Sequence, residues 1–261
     1  MAQFVRVDRN IYRLNLLYKD IYTSVMVLVS HHGNILFDTA YTQEDVQTQI
    51  LPAYRQLGID DPKYIFISHN HIDHAGGLPW VLEAFPQATV LSRSSSLREK
   101  YPNHNVIAPE DDTRILEDFQ VVTIPGHTPD CAALLDLRTG SLLTGDCLQG
   151  YGIYGSGAWG AVIPWIELHL QALKKLHTMD IQAIHAAHDY HPYGEYVQGK
   201  EAAKAYVDGC LNALLRVRDC IKGNWSFSDE EVAALCNDGK FPRVPVRIVT
   251  ALREAMDRGV L

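Results

Sequence analysis

Residues 69–74 read His69-Asn70-His71-Ile72-Asp73-His74, which places three imidazoles and one carboxylate within six positions. Imidazole and carboxylate are the groups that bind zinc, iron or manganese in proteins, and few other roles need so many of them together. Residues 63–68, in front of this run, form a short apolar segment that is typical of a buried strand. The sequence therefore predicts a metal site at the carboxyl end of a strand.

The same arrangement, an apolar strand followed by a loop with a potential metal ligand, recurs at three later places. These strands are expected at 119–124, 141–144 and 181–184. The ligand-type residues behind them are His127, Asp146 and His188, with His185 and His191 as alternatives to His188. Because loops at strand ends commonly carry catalytic groups, we expect the four loops to converge on one edge of the fold.

Composition and charge narrow the class of protein. The chain has 261 residues, is 47% apolar and carries a formal net charge of −8, with no Lys/Arg stripe. Such a surface disfavours nucleic acid and anionic membranes as partners, so we expect a small-molecule substrate. Five cysteines without regular spacing do not suggest a disulfide framework and fit a reducing compartment. The first residues form no apolar leader, and a cytoplasmic location is predicted.

Two domains are predicted from a change of pattern near residue 199. Strand and helix patterns alternate up to that point, so we expect residues 1–198 to form the metal-binding catalytic domain. From there on the pattern is helical only, with an amphipathic segment at 201–221 and a capping box that begins at Ser228. Residues 199–261 are predicted to be a small helical appendage, which either covers the active site or forms a homodimer contact.

The spacing within the 69–74 run suits two metal ions. Residues two apart after a strand can turn toward one point, so His69 and His71 suit a single ion. Asp73 and His74 lie on the following turn and can reach a second ion a few ångströms away. Two ions about 3.5–4 Å apart generate a hydroxide nucleophile at neutral pH and stabilise the developing oxyanion. The run is therefore typical of a binuclear metal centre.

Five short motifs, in this order, resemble those of the metallo-β-lactamase superfamily. They are Asp38 in Phe37-Asp38-Thr39-Ala40, the run 69–74, His127 in Pro125-Gly126-His127-Thr128-Pro129, Asp146 in Thr144-Gly145-Asp146, and His188 in Ala186-Ala187-His188-Asp189. The resemblance spans roughly residues 20–190 and rests on order, spacing and strand context. It implies an α/β fold, a four-layer αββα sandwich, with the small C-terminal helical appendage behind it.

The resemblance also implies a role for each motif residue. The first metal would be bound by His69, His71 and His127, and the second by Asp73, His74 and His188, with Asp146 bridging both. Asp38 would orient a ligand instead of binding metal, and Asp146 and Asp73 are the candidate catalytic residues. Two divalent ions are expected, zinc first, with iron or manganese compatible with the same ligands.

A glycine-rich loop at 149–160 is the predicted wall of the substrate pocket. It interleaves five glycines with two tyrosines and a tryptophan, a composition that suits a lid with aromatic contact surfaces. Packing of these aromatic rings on the core is the alternative. The candidate substrate-binding residues are Tyr151, Tyr154, Trp159, Tyr190 and Tyr193.

Ligand identity favours one group within the family. Asp146 stands where the main zinc β-lactamases carry Cys, and His71 and His74 are intact, which favours the glyoxalase II, lactonase and thioesterase-like group. We predict a binuclear hydrolase in which a metal-bridging hydroxide attacks an ester, thioester or lactone carbonyl. Gln149 stands where lactonases commonly carry Tyr, so the substrate stays open. The alternatives are a mononuclear iron persulfide dioxygenase-like enzyme and a non-catalytic ligand-sensing module.

Overall fold

The structure, a computed structural model, describes residues 2–155 and 160–261, and it divides into two units. The N-terminal unit contains the residues up to Thr123 together with Ala132–Thr139. The C-terminal unit contains Ile124–Cys131 and Gly140–Leu261. The strands form two mixed sheets, of which the first lies entirely within the N-terminal unit.

Seven strands of the N-terminal unit form the first sheet, in the same order as in the chain. They are β1 (Val5–Asp8), β2 (Ile11–Tyr18), β3 (Ile21–Ser30), β4 (Gly33–Phe37), β5 (Pro62–Phe66), β6 (Thr89–Leu91) and β7 (Val106–Ile107). Neighbours are antiparallel from β1 to β4 and parallel from β4 to β7. The apolar runs 24–30 and 35–37 around the turn-like residues 31–34 predict a hairpin, and β3 and β4 form it. Most of β3 is buried on both faces, which explains why its sequence is a continuous apolar run without alternation.

Helices and three further strands complete the N-terminal unit. A π-helical turn (Asp45–Ile50) leads into α1 (Leu51–Gln56), where the sequence predicts one helix over 42–57. The other elements are α2 (Ile72–Ala75), α3 (Leu78–Ala84), α4 (Ser95–Lys100), β8 (Arg114–Ile115), β9 (Phe119–Thr123) and β10 (Ala132–Asp136). Val46, Ile50 and Tyr54 face the core, as their helical spacing predicts.

The described residues of the C-terminal unit form three strands and four helices. Its elements are β11 (Ser141–Gly145), α5 (Ile166–Leu176), β12 (Ala183–Tyr190), β13 (Gly194–Gln198), α6 (Lys200–Gly223), α7 (Asp229–Cys236) and α8 (Val246–Asp257). Strand β12 pairs parallel with β11 and antiparallel with β13. Helices α5 to α8 share one apolar core, and α7 begins with the predicted capping box at Ser228. No helix within the described part of the chain has the length and apolarity needed to cross a bilayer.

His188 lies inside a strand, where the sequence predicts a loop. Strand β12 continues to Tyr190 because Tyr190 pairs with Gly194 across a tight turn into β13. The register between β12 and β13 shifts between His185 and Tyr190, so the ladder is interrupted around His188. Such an interruption bends a strand and changes the direction of a side chain. His188 can therefore point toward Asp146 although it lies within the strand.

Candidate metal centre

Asp38 is a buried carboxylate of the N-terminal unit that contacts Ser68 and His74. It follows β4 directly, and its backbone N–H donates to the carbonyl of Phe66 at the end of β5 (2.8 Å). Its φ of 60° lies in the left-handed region, which Asp tolerates better than most residues. One carboxylate oxygen accepts the Ser68 N–H (2.8 Å) and the other accepts the Ser68 hydroxyl (2.9 Å). Burial raises the pKa of Asp38, and His74 opposes that shift.

The same carboxylate determines which nitrogen of His74 carries the proton. His74 Nδ1 lies 2.8 Å from Asp38 Oδ2, and an ionised carboxylate only accepts, so Nδ1–H is the donor. The lone pair is then on Nε2, which lies 3.4 Å from Asp73 Oδ2. Asp73 is held in turn by the hydroxyl of Thr23, which donates to Oδ2 at 3.0 Å. His74 and Asp73 therefore present one nitrogen and one carboxylate in the same place.

Asp38 also orients His69 through Ser68. Because the Ser68 hydroxyl donates to Asp38, its oxygen accepts the Nδ1–H of His69, 3.1 Å away. The nitrogen of His69 that could bind a metal is then Nε2 as well. The His69 ring centroid lies 4.6 Å from that of His71 and 4.3 Å from that of His74. Three imidazoles and Asp73 are thus gathered in one cluster, as the sequence predicts, with His71 the exposed member.

Gly76 and Gly77 allow close backbone contact between the segment 39–41, after Asp38, and the residues after His74. The backbone N–H of Thr39 donates to the carbonyl of His74 (2.7 Å), and the N–H of Gly77 donates to the carbonyl of Ala40 (3.0 Å). A Cβ at Gly77 would overlap the carbonyl oxygen of Thr39, and one at Gly76 would overlap a backbone oxygen in the same way. Glycine at these positions is therefore a packing requirement of the site.

We expect Gly77→Ala to lower the free energy of unfolding by about 1–3 kcal/mol, since the backbone at Thr39 must move to admit a methyl group. Urea unfolding of the variant against the parent protein measures this loss. Gly223→Ala is the matched control, because a Cβ at Gly223 meets no atom within 4 Å. Equal stability of the Gly77→Ala protein and the parent would show that the close approach is not needed.

In the C-terminal unit, Asp146 lies between two histidines. Its Oδ2 is 3.5 Å from His127 Nε2, and its Oδ1 is 3.2 Å from His188 Nε2. His127 belongs to the loop after β9, Asp146 follows β11, and His188 lies in β12. Each oxygen of one carboxylate therefore faces a different imidazole, which is the geometry expected of a carboxylate shared by two ions.

The protonation of His127 is also determined by a partner behind the ring. Its Nδ1 lies 2.8 Å from the carbonyl oxygen of Val162, which can only accept, so Nε2 is the nitrogen that faces Asp146. Metal-binding histidines characteristically donate the other ring N–H to a carbonyl or a carboxylate in this way. The donor atoms within each unit are thus imidazole nitrogens and carboxylate oxygens, the kinds of atom that a divalent metal binds.

Of the three histidines weighed for the last ligand position, the structure places His188 beside Asp146. The ring of His185 lies against Tyr196, with centroids 4.7 Å apart. The ring of His191 lies against Tyr154, also at 4.7 Å. His185 and His191 therefore pack against other rings, whereas the Nε2 of His188 lies 3.2 Å from Asp146 Oδ1.

His169 is a buried neighbour of the His127 loop and lies outside the predicted ligand set. It lies in α5, and a Cβ at Gly126 would overlap its imidazole ring, so glycine there lets the loop rest on the ring. Desolvation by burial lowers the pKa of His169 to about 4. The ring is therefore neutral at pH 7, and the His127 loop packs on it at Gly126.

This lowered pKa makes a prediction for stability against pH. Below the ordinary pKa of 6.5 the unfolded chain binds a proton at His169, whereas the folded ring remains neutral until about pH 4. Stability is thus fully present above pH 6.5 and falls as the pH drops, by about 3 kcal/mol at pH 4 from this group. Unfolding of the parent and of His169→Gln from pH 4 to 7 should show a shallower slope for the variant; identical slopes would contradict the assignment.

The four predicted substrate-binding tyrosines that the structure describes each pack against another aromatic ring of the C-terminal unit. Tyr151 stacks on Phe241 at 4.5 Å, and the exposed Tyr154 lies edge-on to His191 while its hydroxyl donates to the carbonyl of Lys240 at 2.6 Å. Tyr190 is buried edge-on to His188 at 5.6 Å, and Tyr193 stacks on Tyr206 at 4.6 Å. Trp159 lies outside the described residues. A role of these residues in substrate binding stays a prediction.

Four residues that support the predicted ligands carry no signal in the sequence patterns. Thr23, Ser68, Gln149 and Val162 each contact a predicted ligand or a residue that orients one. Thr23 lies in β3, far from Asp73 in the chain, and Val162 acts through its backbone carbonyl. Only Ser68 is adjacent in sequence to the ligand it orients. Hydroxyl, amide and backbone groups are common everywhere, so their function is visible only from their contacts.

Comparison with known proteins identifies the family. A model of the metallo-β-lactamase superfamily matches residues 18–205. The hydroxyacylglutathione hydrolase of Salmonella arizonae is 32% identical over 139 residues, which cover 51% of this chain and 51% of that protein. The chain spans 51–59% of the length of this relative and of an uncharacterized Bacillus subtilis protein, YobT.

Solved structures with low sequence identity share the fold. The metallo-β-lactamase FIM-1 from Pseudomonas aeruginosa matches with a TM-score of 0.62 and 16% identity, over 81% of this chain and 96% of that one. A rubredoxin oxygen:oxidoreductase from Desulfovibrio gigas matches with a TM-score of 0.65 and 16% identity, over 80% of this chain and 61% of that one. The predicted fold class, an α/β sandwich with a helical C-terminal part, is confirmed. Since the family model covers well over half of the sequence, the chain belongs to the metallo-β-lactamase superfamily.

Proposed function

We propose that this protein is a binuclear metal-dependent hydrolase that acts on an ester, thioester or lactone carbonyl. The observation that carries the proposal is the pair of contacts at Asp146, whose two oxygens face His127 Nε2 and His188 Nε2 at 3.5 Å and 3.2 Å. A carboxylate that faces two separate imidazoles is suited to hold two ions side by side.

The proposed ligand sets are those that the sequence motifs imply. One ion would be held by His69, His71 and His127, and the other by Asp73, His74 and His188, with Asp146 as the shared ligand. Zinc is the metal we favour, since Nε2 nitrogens and carboxylate oxygens are its common ligands, although iron and manganese accept the same set. When bound, such a pair of ions activates water near neutral pH and polarises the substrate carbonyl.

The chain itself contributes orientation and proton transfer. Asp146 holds the attacking water and accepts its proton, with Asp73 as the second candidate carboxylate. Asp38 keeps the Nε2 atoms of His69 and His74 available as ligands, the first through Ser68 and the second directly. Val162 does the same for His127 through its carbonyl oxygen.

A small, neutral or hydrophobic substrate fits the surroundings. Tyr151 and the exposed Tyr154 offer aromatic surface in the C-terminal unit, and the formal net charge of −8 opposes an anionic substrate. Similarity to a protein named hydroxyacylglutathione hydrolase supports hydrolysis over oxidation. The likeness to an oxidoreductase has 16% identity and speaks for the fold alone. We further propose that the protein acts in the cytoplasm.

Metal content and substrate range test the proposal together. The protein is purified without added metal, the ions per chain are quantified, and a panel of esters, thioesters and lactones is assayed before and after chelation. Two ions per chain, with hydrolysis that is lost on chelation and restored by zinc, is the expected result. One iron per chain with oxygen consumption on a persulfide would replace the hydrolase by a dioxygenase. Ligand binding without any turnover would replace it by a sensing role.

A further inference from the structure

We infer that Gln149 is a positioning residue of the metal centre, which fixes the loop of Asp146 to the segment that orients His127. This inference rests on the proposed function and adds a residue to its site. Gln149 follows Asp146 by three residues and belongs to the glycine-rich loop that sequence analysis assigned to the substrate pocket. Its side chain is directed instead into the protein, with 5% of its surface exposed.

Both ends of the Gln149 amide are used. Its Nε2 donates to the backbone carbonyl of Asp146 at 3.2 Å. Its Oε1 accepts the backbone N–H of Val162 at 2.7 Å. A buried amide that satisfies two backbone groups is costly to replace, because an apolar side chain would leave a carbonyl and an N–H without their partner. The orientation of the amide follows from the partners, since a carbonyl accepts and an N–H donates.

Val162 connects this amide to the metal-binding histidine. Its N–H is held by Gln149, and its carbonyl oxygen accepts the Nδ1–H of His127 at 2.8 Å. A continuous series of hydrogen bonds therefore runs from the backbone of Asp146 through Gln149 and Val162 to the His127 ring. The same series joins two residues whose side chains meet directly, at 3.5 Å between Asp146 Oδ2 and His127 Nε2. Through these hydrogen bonds, Gln149 fixes the distance between the proposed ligands Asp146 and His127.

Helix α6 supports the same loop at the residues on both sides of Gln149. The hydroxyl of Tyr206 donates to the carbonyl of Leu148 at 3.2 Å. The backbone N–H of Gly150 donates to the sulfur of Cys210 at 3.3 Å. The residues on both sides of Gln149 are therefore bound to a long helix, which keeps the loop in position. The Gln149 amide in turn positions Val162. The amide is the group whose loss should loosen His127 while the loop stays folded.

Metal affinity is the property that this arrangement should control. Groups that orient metal ligands from behind typically change metal affinity or activity by 10–100-fold when removed. We therefore expect Gln149→Leu, which keeps the approximate volume and removes both hydrogen bonds, to bind the more weakly held Zn²⁺ about 10–100-fold less tightly. Gln149→Glu keeps an oxygen for the Val162 N–H and loses the donor to Asp146, so its loss should be smaller.

The experiment compares Zn²⁺ affinity, by competition with a chromophoric chelator, in the parent, both Gln149 variants and the control Gln171→Leu. Gln171 is an exposed glutamine of α5, in the same unit, so its loss should leave the affinity unchanged. The visible spectrum of the Co²⁺-substituted proteins reports ligand geometry. It should change in Gln149→Leu, change less in Gln149→Glu and stay parental in Gln171→Leu, because a merely structural role would not alter it. Thermal unfolding of the metal-free proteins identifies any variant that fails to fold.

Parental Zn²⁺ affinity and Co²⁺ spectrum in a folded Gln149→Leu protein would overturn the inference, as would an equal loss in Gln171→Leu. If Gln149→Leu does not fold, Gln149→Glu decides by the same two measurements. A parent that binds Zn²⁺ but hydrolyses nothing in the panel defeats the proposed reaction and leaves this inference intact. A parent that binds no Zn²⁺ overturns both.

Discussion

Replacing Asp146 by asparagine is expected to lower kcat about 10³-fold or more for the substrate that the panel identifies. The carboxylate presents one oxygen to His127 Nε2 and the other to His188 Nε2, so it is placed to serve two ions. An amide keeps one such oxygen and replaces the second by a donor that cannot bind a cation. It also removes the group that is proposed to accept the proton of the attacking water. Metal content and kcat should therefore fall together.

Asp219→Asn is the matched control, because Asp219 is an exposed carboxylate of the same unit that pairs with Arg218 on α6. Its kcat and metal content should remain those of the parent. Full activity of Asp146→Asn would remove the basis of the proposed mechanism. Retention of two ions with a loss confined to kcat would assign Asp146 to proton transfer more than to metal binding.

The second large effect is expected at Asp38, where asparagine should weaken metal binding about 10–100-fold. The change preserves volume and is compatible with the left-handed backbone, at a φ of 60°. It replaces an oxygen that accepts the His74 Nδ1–H at 2.8 Å by an amide that donates. The His74 proton would then move to Nε2, the nitrogen that should bind metal. The hydroxyl of Ser68 loses the same acceptor, so His69 is disturbed as well.

Zn²⁺ affinity and the exchange of the imidazole N–H protons by NMR measure this change in tautomer. Asp112→Asn provides the comparison, since Asp112 is an exposed aspartate with a left-handed φ of 63° and lies outside the site. It separates the effect of the backbone conformation from that of the lost charge. An Asp38→Asn protein with the parental affinity and the parental His74 tautomer would show that the carboxylate does not orient the ligand.

The strands and long helices were predictable because their signals are local. The apolar run of β3, the helical spacing of Val46, Ile50 and Tyr54, and the capping box at Ser228 all appear where expected. The boundaries around His188 were not, since β12 extends to Tyr190 through pairing with β13. That pairing depends on a turn and an interrupted ladder, and neither of these produces a periodic pattern of apolar residues in the sequence. The boundary proposed near residue 199 remains a prediction.

The family and the kinds of ligand follow from the chain alone. Imidazole and carboxylate bind metal by virtue of their own chemistry, and the order of the five motifs is a property of the sequence. Tertiary packing decided which nitrogen His69, His74 and His127 offer. Asp38 acts on His74 across 36 positions, and Val162 acts on His127 across 35, so no local periodicity could reveal either contact. A proton on an imidazole is placed by its partner, and only the folded chain brings that partner within hydrogen-bonding distance.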